Sequence, residues 1–299
     1  KKIKRCKEDV VFDAACFIIL TLVLFVVAYP LYWVIISSIS APSAVSSGKV
    51  LLHPIGFTLK GYAEVFKNDQ VMRGFLNSLI ITFCGVMVNL IVTLPTSYAL
   101  SRSNFSGKKP ITIFYLITMF FGGGLIPTYL VIQRLQMLNT IWALILPGCL
   151  SVYNMIVART FFKSNISEEL YEAAEIDGCT QARFFFQIAL PLSKAIIAIL
   201  VLYYGVGHWN SYFSALVYIS DKAKYPLQLV LRNILITNQT ALSQTATTAA
   251  ARAALQEKQQ LIDVMKYSLI IISSIPVLVM YPLVQKHFVK GVMIGSMKG

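Results

Sequence analysis

The chain has 299 residues, of which 57% are hydrophobic and 13% are charged, and its formal net charge is +13. Soluble globular proteins carry roughly 25% charged residues, so the composition favours a membrane protein over a soluble one. Six apolar stretches each exceed about 17 residues, the shortest helix that crosses the hydrocarbon of a bilayer. These predicted spans are 13–38, 72–101, 110–133, 139–161, 192–217 and 266–285.

The first stretch is too long for a removable signal peptide. Its apolar part exceeds the 7–15 residues of a signal sequence, and no small-residue cleavage site follows it, so we expect a retained span. The run ACFIILTLVLFVVAYPLYWVII has no period of two, which excludes a barrel strand. Because lipid offers no partner for backbone N–H and C=O groups, the sequence predicts an all-α integral membrane protein with six transmembrane helices.

Two longer connections join the spans on one side of the membrane. The segment 39–71 begins with turn-forming Ser, Pro and Gly residues and then carries GYAEVF, which predicts a short helix. The connection 218–265 contains an Ala-, Thr- and Gln-rich segment, 237–260. Good helix formers in its second half predict a solvated helix, with a mobile loop as the alternative.

Helix-breaking residues lie in or near several predicted spans, and they allow two interpretations. Glycines 122–124 interrupt the third span, and the other breakers are prolines. Proline removes a backbone hydrogen bond and kinks a helix, so simple kinked packing is one interpretation. The other is that discontinuous helices line a pathway that opens and closes. The prolines are Pro30, Pro95, Pro127, Pro147 and Pro276.

The positive charge is distributed unevenly across the membrane. More than half of the 26 Lys and Arg residues lie on the side of the N-terminus, although the segments on that side are shorter in total. Cytosolic segments carry this excess, which predicts cytosolic termini around a transmembrane domain, 13–285. No basic stripe with interleaved aromatic residues is left to indicate nucleic-acid binding. The predicted cytosolic segments are 1–12, 102–109, 159–194 and 285–299, the last including a tail, 286–299.

The spans contain almost no ionisable side chains. His208 is the main ionisable residue inside them, whereas proton- or sodium-coupled carriers keep buried acids near the membrane centre. The chain has no phosphate-binding G-x-x-x-x-G-K-[ST] loop, no hydrolase motif and no potassium-type filter, and its five cysteines lack metal-site spacing. An enzyme and a metal site are therefore disfavoured. A stand-alone secondary carrier or channel remains the alternative to a transporter driven by a separate motor.

The acidic stretch ELYEAAEIDG lies between the fourth and fifth spans, on the predicted cytosolic side. Ser167 is a suitable N-cap and Gly178 a suitable C-terminal glycine, so the sequence predicts a helix over 168–177. Paired alanines permit close backbone approach, and a neighbouring carboxylate can pair with an arginine of a partner protein. A docking helix is therefore favoured over a solvated acidic loop helix.

The segment EAAEIDGCTQARFFFQIALP at 172–191 closely resembles the EAA loop of binding-protein-dependent ABC importer permeases. Its pattern is EAA, three residues, G, nine residues and I-x-LP, and every position is present. NSLIIT at 77–82, YALSR at 98–102, GLIPTYL at 124–130 and WNSYF at 209–213 are similar to the carbohydrate-uptake, maltose-permease-like branch. Within that branch, GGGLIPTYLV, LPGCLSVYN and GHWNSYFSALVYI most resemble importers of complex oligosaccharides.

The resemblance implies a type I ABC importer permease in the bacterial cytoplasmic (inner) membrane. It implies a second homologous permease subunit, two cytosolic ATPase subunits that hold ATP and magnesium, and an external solute-binding protein, with no cofactor on this chain. It also implies that the loop 163–191 carries the coupling helix, that the tail reaches between the ATPases, and that the outer loop meets the binding protein. The implied ATPase contacts are Glu168, Tyr171, Glu172, Ala173, Ala174, Asp177, Gly178, Phe184, Phe185 and Pro191, with Gly295, Lys298 and Gly299 in the tail.

The substrate pathway is predicted at the outer end of the fifth span. Sugars stack on aromatic rings and bond to planar polar groups, and His208, Trp209, Asn210 and Tyr212 offer that chemistry. The alternative interpretation of these residues is an interfacial belt of Trp and Tyr. The expected function is import of a carbohydrate, in particular an oligosaccharide, by ATP-driven alternating access.

Overall fold

The computed structural model describes the backbone of residues 7–240 and 249–296, with side chains at 8–236, 259–282 and 285. These ranges are helical with connecting turns and contain no strand, which confirms the all-α prediction. The helices are α1 (Lys7–Ser38), α2 (Pro42–Ser46), α3 (Lys60–Lys67), α4 (Asp69–Ser101), α5 (Lys108–Phe120), α6 (Leu125–Arg134), α7 (Trp142–Ile145), α8 (Val152–Asn165), α9 (Glu168–Ile176), α10 (Gln181–Phe184), α11 (Leu190–Leu192), α12 (Lys194–Trp209), α13 (Tyr212–Tyr218), α14 (Leu227–Thr240) and α15 (Ala249–Ser296).

In the described residues, three helices are long and apolar enough to cross a membrane unbroken. They are Glu8–Ser38, Asp69–Ser101 and Gln259–Pro282. Three further candidates are pairs of helices with a bend between them, which brings the number of spans to as many as six. The bent pairs are Lys108–Phe120 with Leu125–Arg134 (114°), Trp142–Gly148 with Val152–Asn165 (51°), and Gln181–Leu192 with Lys194–Trp209 (80°).

The bends coincide with residues that cannot continue a helix. Gly124 has φ +85°, a backbone conformation that side chains with a Cβ rarely adopt, and it separates α5 from α6. A 3-10 turn containing Pro147 precedes the second bend, and Ser151 then caps α8 by accepting from the Asn154 amide at 3.4 Å. The helices at these bends are therefore discontinuous, whereas Pro30 and Pro95 lie inside unbroken helices.

Several predicted boundaries differ from the structure. The fifth span ends at Trp209 and not at 217, because a turn at 210–211 separates α12 from α13. The predicted outer loop contains α14 and the start of α15, since Ala, Gln and Glu support helix from Ala249 onwards. The predicted tail 286–299 is largely helical, because α15 continues to Ser296. Residues 241–248 lie outside the described part.

The chain divides into two compact units. The first contains residues up to Asp69 together with Asn233–Ser273, and it has its own apolar core. In this unit Trp33 donates to the Val50 carbonyl at 2.8 Å and packs edge-on against Tyr267. The apolar side chains of α1 between residues 10 and 27 are largely exposed, as expected of a surface that faces lipid. The buried residues of this core are Ile36, Ala44, Val45, Val50 and Val264.

The second unit, Gln70–Arg232 with the residues from Ser274 on, contains a line of buried polar side chains on α4. This polar seam consists of Asn89, Thr93 and Ser97, which recur every four residues and have no exposed surface. Asn89 donates to the Gly148 carbonyl at 2.7 Å, and Thr93 shares a 2.7 Å hydrogen bond with the Tyr204 hydroxyl. Ser97 donates to a main-chain carbonyl of α8 at 3.0 Å. The polar seam thus ties α4 to the bent α7–α8 segment and to α12.

Candidate functional site

The acidic helix α9 is capped at both ends by its own sequence. The Ser167 hydroxyl accepts a hydrogen bond from the Leu170 amide at 3.3 Å, as predicted. Gly178 has φ +74° and donates to the Glu175 carbonyl at 3.0 Å, while the Cys179 amide donates to the Ala174 carbonyl at 2.9 Å. These two bonds form a Schellman motif, which ends the helix sharply. The helix is therefore held as a short rigid element.

One side of α9 rests on a group of buried rings, which we call the aromatic platform. Two residues of α9 lie on this side. Tyr171, 6% exposed, belongs to the platform, and Ala174, 8% exposed, packs against it. The Tyr171 ring packs edge-on against Phe184 at 5.3 Å, and Tyr98 lies 5.0 Å from Phe185 between ring centres. Such aromatic contacts fix the base of the helix. The platform consists of Tyr98, Phe162, Tyr171, Phe184 and Phe185.

Glu168, at the start of α9, is bound within the chain. Its carboxylate accepts from Arg102 Nη2 at 3.2 Å and from the Ser103 hydroxyl. The Arg102 guanidinium carbon also lies 3.9 Å from the centre of the Tyr171 ring, a cation–π arrangement. This cluster anchors α9 to the end of α4.

The opposite side of α9 is free. Glu172, Ala173 and Asp177 are exposed, and within the described residues Glu172 forms no ion pair. Ile176 is 87% exposed, which is high for a large apolar side chain. Sequence reasoning missed Ile176. Its place between Glu175 and Asp177 was a signal that this apolar side chain would be exposed beside acidic residues. The free face combines carboxylates with an apolar tip, which suits docking into a basic and apolar cleft.

The structure buries Phe184 and Phe185, the two rings that were predicted to contact an ATPase. The two rings are 0% and 6% exposed and belong to the aromatic platform, so they pack beneath α9 on its buried side. Phe186 is the exposed aromatic residue of this helix, at 65%. A π-helical turn covers Phe185–Ala189, and the exposed Pro191 follows it. Proline has no backbone N–H to donate to a regular α-helical hydrogen bond.

The structure does not bring the four predicted sugar-contact residues together. His208 Nε2 lies 2.6 Å from Asn89 Oδ1, so its imidazole is engaged with the polar seam. Trp209 is 2% exposed and packs edge-on against Phe75, which leaves no face for stacking on a sugar. Asn210 and Tyr212 are exposed at the turn after α12. Trp209 therefore packs within the bundle in this structure, and its role in sugar contact stays a prediction.

A cavity of about 450 Å³ in the second unit is lined by residues of similar chemistry, an asparagine and two tyrosines. Asn154 is 7% exposed and lines this cavity. The exposed Tyr203 and Tyr281 line the same cavity. Sequence reasoning missed this site because its residues come from three different spans. Its lining is Asn154, Leu202, Tyr203, Val206, Val277 and Tyr281.

The predicted tail contacts cannot be placed by the structure. Gly295 lies in the last turn of α15, and Lys298 and Gly299 lie outside the described residues. Side chains of most of the outer segment 237–260 are likewise outside the described part.

No protein-family model matches the chain, whereas individual proteins match it over nearly its full length. The polygalacturonan/rhamnogalacturonan transport system permease protein YtcP of Bacillus subtilis is 36% identical over 96% of this chain and 98% of the relative. Protein LplC of the same bacterium is 38% identical over 98% and 97%. The crystal structure of a bacterial ABC transporter involved in the import of the acidic polysaccharide alginate contains a chain with TM-score 0.85 and 27% identity. The match covers 96% of this chain and 100% of that one.

The bent spans and the EAA helix on its aromatic platform define the membrane subunit of an ABC importer. Within that class, the chain belongs to the permeases of carbohydrate ABC importers. It is a multi-pass protein of the bacterial inner membrane, it carries no catalytic site of its own, and it works with an ATPase and a binding protein. Family membership sets aside the stand-alone carrier or channel.

Proposed function

We propose that α9 is the coupling helix through which ATPase subunits drive this permease. One observation carries the proposal: α9 is capped at both ends and fixed on the aromatic platform, yet its acidic face is unoccupied. A rigid base transmits a push, and a free face can receive a partner. Glu172 would pair with a basic residue of the ATPase, and Ile176 would enter an apolar pocket beside it.

The transport cycle follows from this arrangement. A second homologous permease and two ATPase subunits complete the membrane assembly, and a binding protein delivers the sugar from outside. ATP binding closes the ATPase dimer and moves α9, which shifts the spans between inward- and outward-open states. ATP must bind the ATPase better in one state than in the other, because a ligand shifts an equilibrium only by its differential affinity.

The proposed substrate is an oligosaccharide. The names of YtcP and the alginate transporter both refer to polysaccharides, which supports this class. In this chain the cavity beside Asn154 offers two phenol rings for the C–H faces of a sugar and one amide for its hydroxyls. Asn210 and Tyr212 remain candidates for an outer contact.

Charge reversal on α9 tests the coupling role. We expect Glu172→Lys to lower sugar uptake at least about tenfold, because reversing a desolvated ion pair costs several kcal/mol. Glu172→Asp keeps the charge and should retain most uptake. Gly178→Asp should also lose uptake, because φ +74° disfavours a residue with a Cβ. All variants should still insert into the membrane, as measured by immunoblot of the membrane fraction.

Normal uptake by Glu172→Lys or Gly178→Asp, with ATP hydrolysis still stimulated by the loaded binding protein, would show that α9 is not the coupling element.

A further inference from the structure

A second cavity, of about 340 Å³, lies between the end of α4 and the coupling loop. Its walls come from the last two turns of α4, the connection that follows, the helices α9 and α10, and the π-helical turn after α10. The proposed docking face of α9 points elsewhere, since Glu172, Glu175 and Ile176 do not line this cavity. The lining residues are Pro95, Tyr98, Ala99, Arg102, Asn104, Phe105, Tyr171, Gln181, Ala182, Phe185 and Phe186.

Tyr98 lines this cavity, and its hydroxyl is an unused hydrogen-bond donor. Its side chain is 8% exposed, yet its hydroxyl has no hydrogen-bond partner in the described part of the chain. A buried polar group without a partner is destabilising, so such groups in proteins usually meet water or a ligand. Replacement of the phenol by phenylalanine would fit the same packing, and the hydroxyl is therefore not required by the aromatic platform.

The other polar side chains of the cavity also carry hydrogen-bond donors. Arg102 is 11% exposed and uses Nη2 for Glu168, which leaves other guanidinium N–H groups available. Glu168 itself does not line the cavity, and no carboxylate does. Asn104 and Gln181 contribute side-chain amides. A ligand that matches this set must present an acceptor, and an oxyanion best matches the guanidinium.

The remaining walls are apolar and lie at the membrane boundary. Pro95 and Ala99 belong to the spanning helix, and Phe105 and Phe186 are partly or largely exposed beside them. Residues at the end of a span lie at the level of lipid headgroups. An occupant with an oxyanion head and an apolar body therefore matches the cavity at both ends.

We propose that this cavity binds the headgroup of an anionic phospholipid. A phosphate oxygen accepts from the Tyr98 hydroxyl and faces Arg102, and the start of an acyl chain lies along Phe105 and Phe186. The segment 102–109 beside the cavity carries Arg102, Lys108 and Lys109 and no acidic residue, which favours an anionic over a zwitterionic lipid. The bound lipid joins α4 to the coupling loop, a consequence that rests on the proposed function, whereas lipid binding itself does not.

Native mass spectrometry of the full-length chain in detergent, titrated with dioleoyl phosphatidylglycerol, tests the proposal. We expect one tightly held lipid on the wild-type chain and about tenfold weaker binding to Tyr98→Phe, because a hydrogen bond to a charged acceptor is lost. Tyr153→Phe removes a hydroxyl from an exposed tyrosine of α8 outside the cavity and should bind like the wild type. Melting temperatures of the two variants that are no lower than that of the wild type establish that the fold is retained.

Two further ligands distinguish the sources of an oxyanion. Dioleoyl phosphatidylcholine should bind more weakly than phosphatidylglycerol, and inorganic phosphate should not displace the bound lipid. Equal binding of phosphatidylglycerol to Tyr98→Phe and wild type would overturn the site. Equal affinity for the two lipids would overturn the preference for negative charge, and displacement by inorganic phosphate would overturn the lipid as occupant. These results are independent of transport, so failure here leaves the coupling role of α9 intact.

Discussion

At the scale of single residues, two glutamates one turn apart on α9 have different surroundings. Glu168 is bound by Arg102 and Ser103, whereas Glu172 is exposed and forms no ion pair in the described part of the chain. The sequence motif makes both of them coupling candidates. The structure separates one glutamate that positions the helix from one that is available to a partner.

This difference predicts that alanine substitution of the two glutamates will affect different properties of the protein. Glu168→Ala should lower the Tm of the purified chain slightly, because a partly exposed ion pair contributes about 0.2–1 kcal/mol. Glu172→Ala should leave the Tm unchanged and lower sugar uptake. Thermal unfolding in detergent and uptake in whole cells measure the two effects, and a lower Tm for Glu172→Ala than for Glu168→Ala would contradict the assignment.

Residues of the cavity beside Asn154 give a second prediction at this scale. Asn154→Ala and Tyr203→Ala should each reduce sugar uptake several-fold, because a sugar hydroxyl loses its partner or a ring face is lost. Tyr153→Ala, next to Asn154 but outside the cavity lining, serves as the control. Uptake that is equally reduced by the control would indicate a general loss of folding.

At the scale of elements, the polar seam explains how a bent fourth span keeps its place. A bend exposes main-chain groups, and in a membrane those groups need partners from neighbouring helices. Asn89 supplies one partner to Gly148, and His208 meets Asn89 from α12. Gly85 leaves room for this contact, since a Cβ there would lie 2.5 Å from His208 Nε2. His208 therefore has a positioning role within the bundle.

The polar seam predicts that two substitutions on α4 will destabilise the chain. Asn89→Leu leaves the Gly148 carbonyl and His208 without their partner, at a cost of about 1–3 kcal/mol. Gly85→Ala displaces the His208 ring, with a cost of similar size from overpacking. Gly207→Ala is the matched control, because nothing lies within 4 Å of a Cβ at that position. Thermal unfolding in detergent should show a lower Tm for the first two variants only.

At the scale of the whole molecule, the distribution of Lys and Arg predicts that α9 faces the cytosol. This can be checked with Ile176→Cys, because Ile176 is 87% exposed, in a background whose native cysteines are replaced by serine. A membrane-impermeant maleimide should label Cys at this position in inverted vesicles and not in intact spheroplasts. Assembly with the ATPase should protect it, since docking covers the free face of α9.

Labelling from outside the cell would contradict both the orientation and the coupling role. A serine at 176 in the same background provides the unlabelled control for each vesicle preparation.

The sequence by itself determined the membrane class, the helical fold, the caps of α9 and the family. These properties depend on local chemistry: apolar length, the preference of Ser167 for an N-cap, the tolerance of Gly178 for positive φ, and the spacing of the EAA motif. Each is encoded within a few turns of chain, so one sequence is enough to predict it.

Only the tertiary structure decided which of the candidate residues are exposed and which face the interior. Phe184, Phe185 and Trp209 are chemically suitable contact residues, but neighbouring helices bury them. The cavity beside Asn154 and the donors around Tyr98 combine residues from distant parts of the chain. The reason is physical: burial depends on which other helices pack against a side chain, and sequence spacing along one helix does not contain that information.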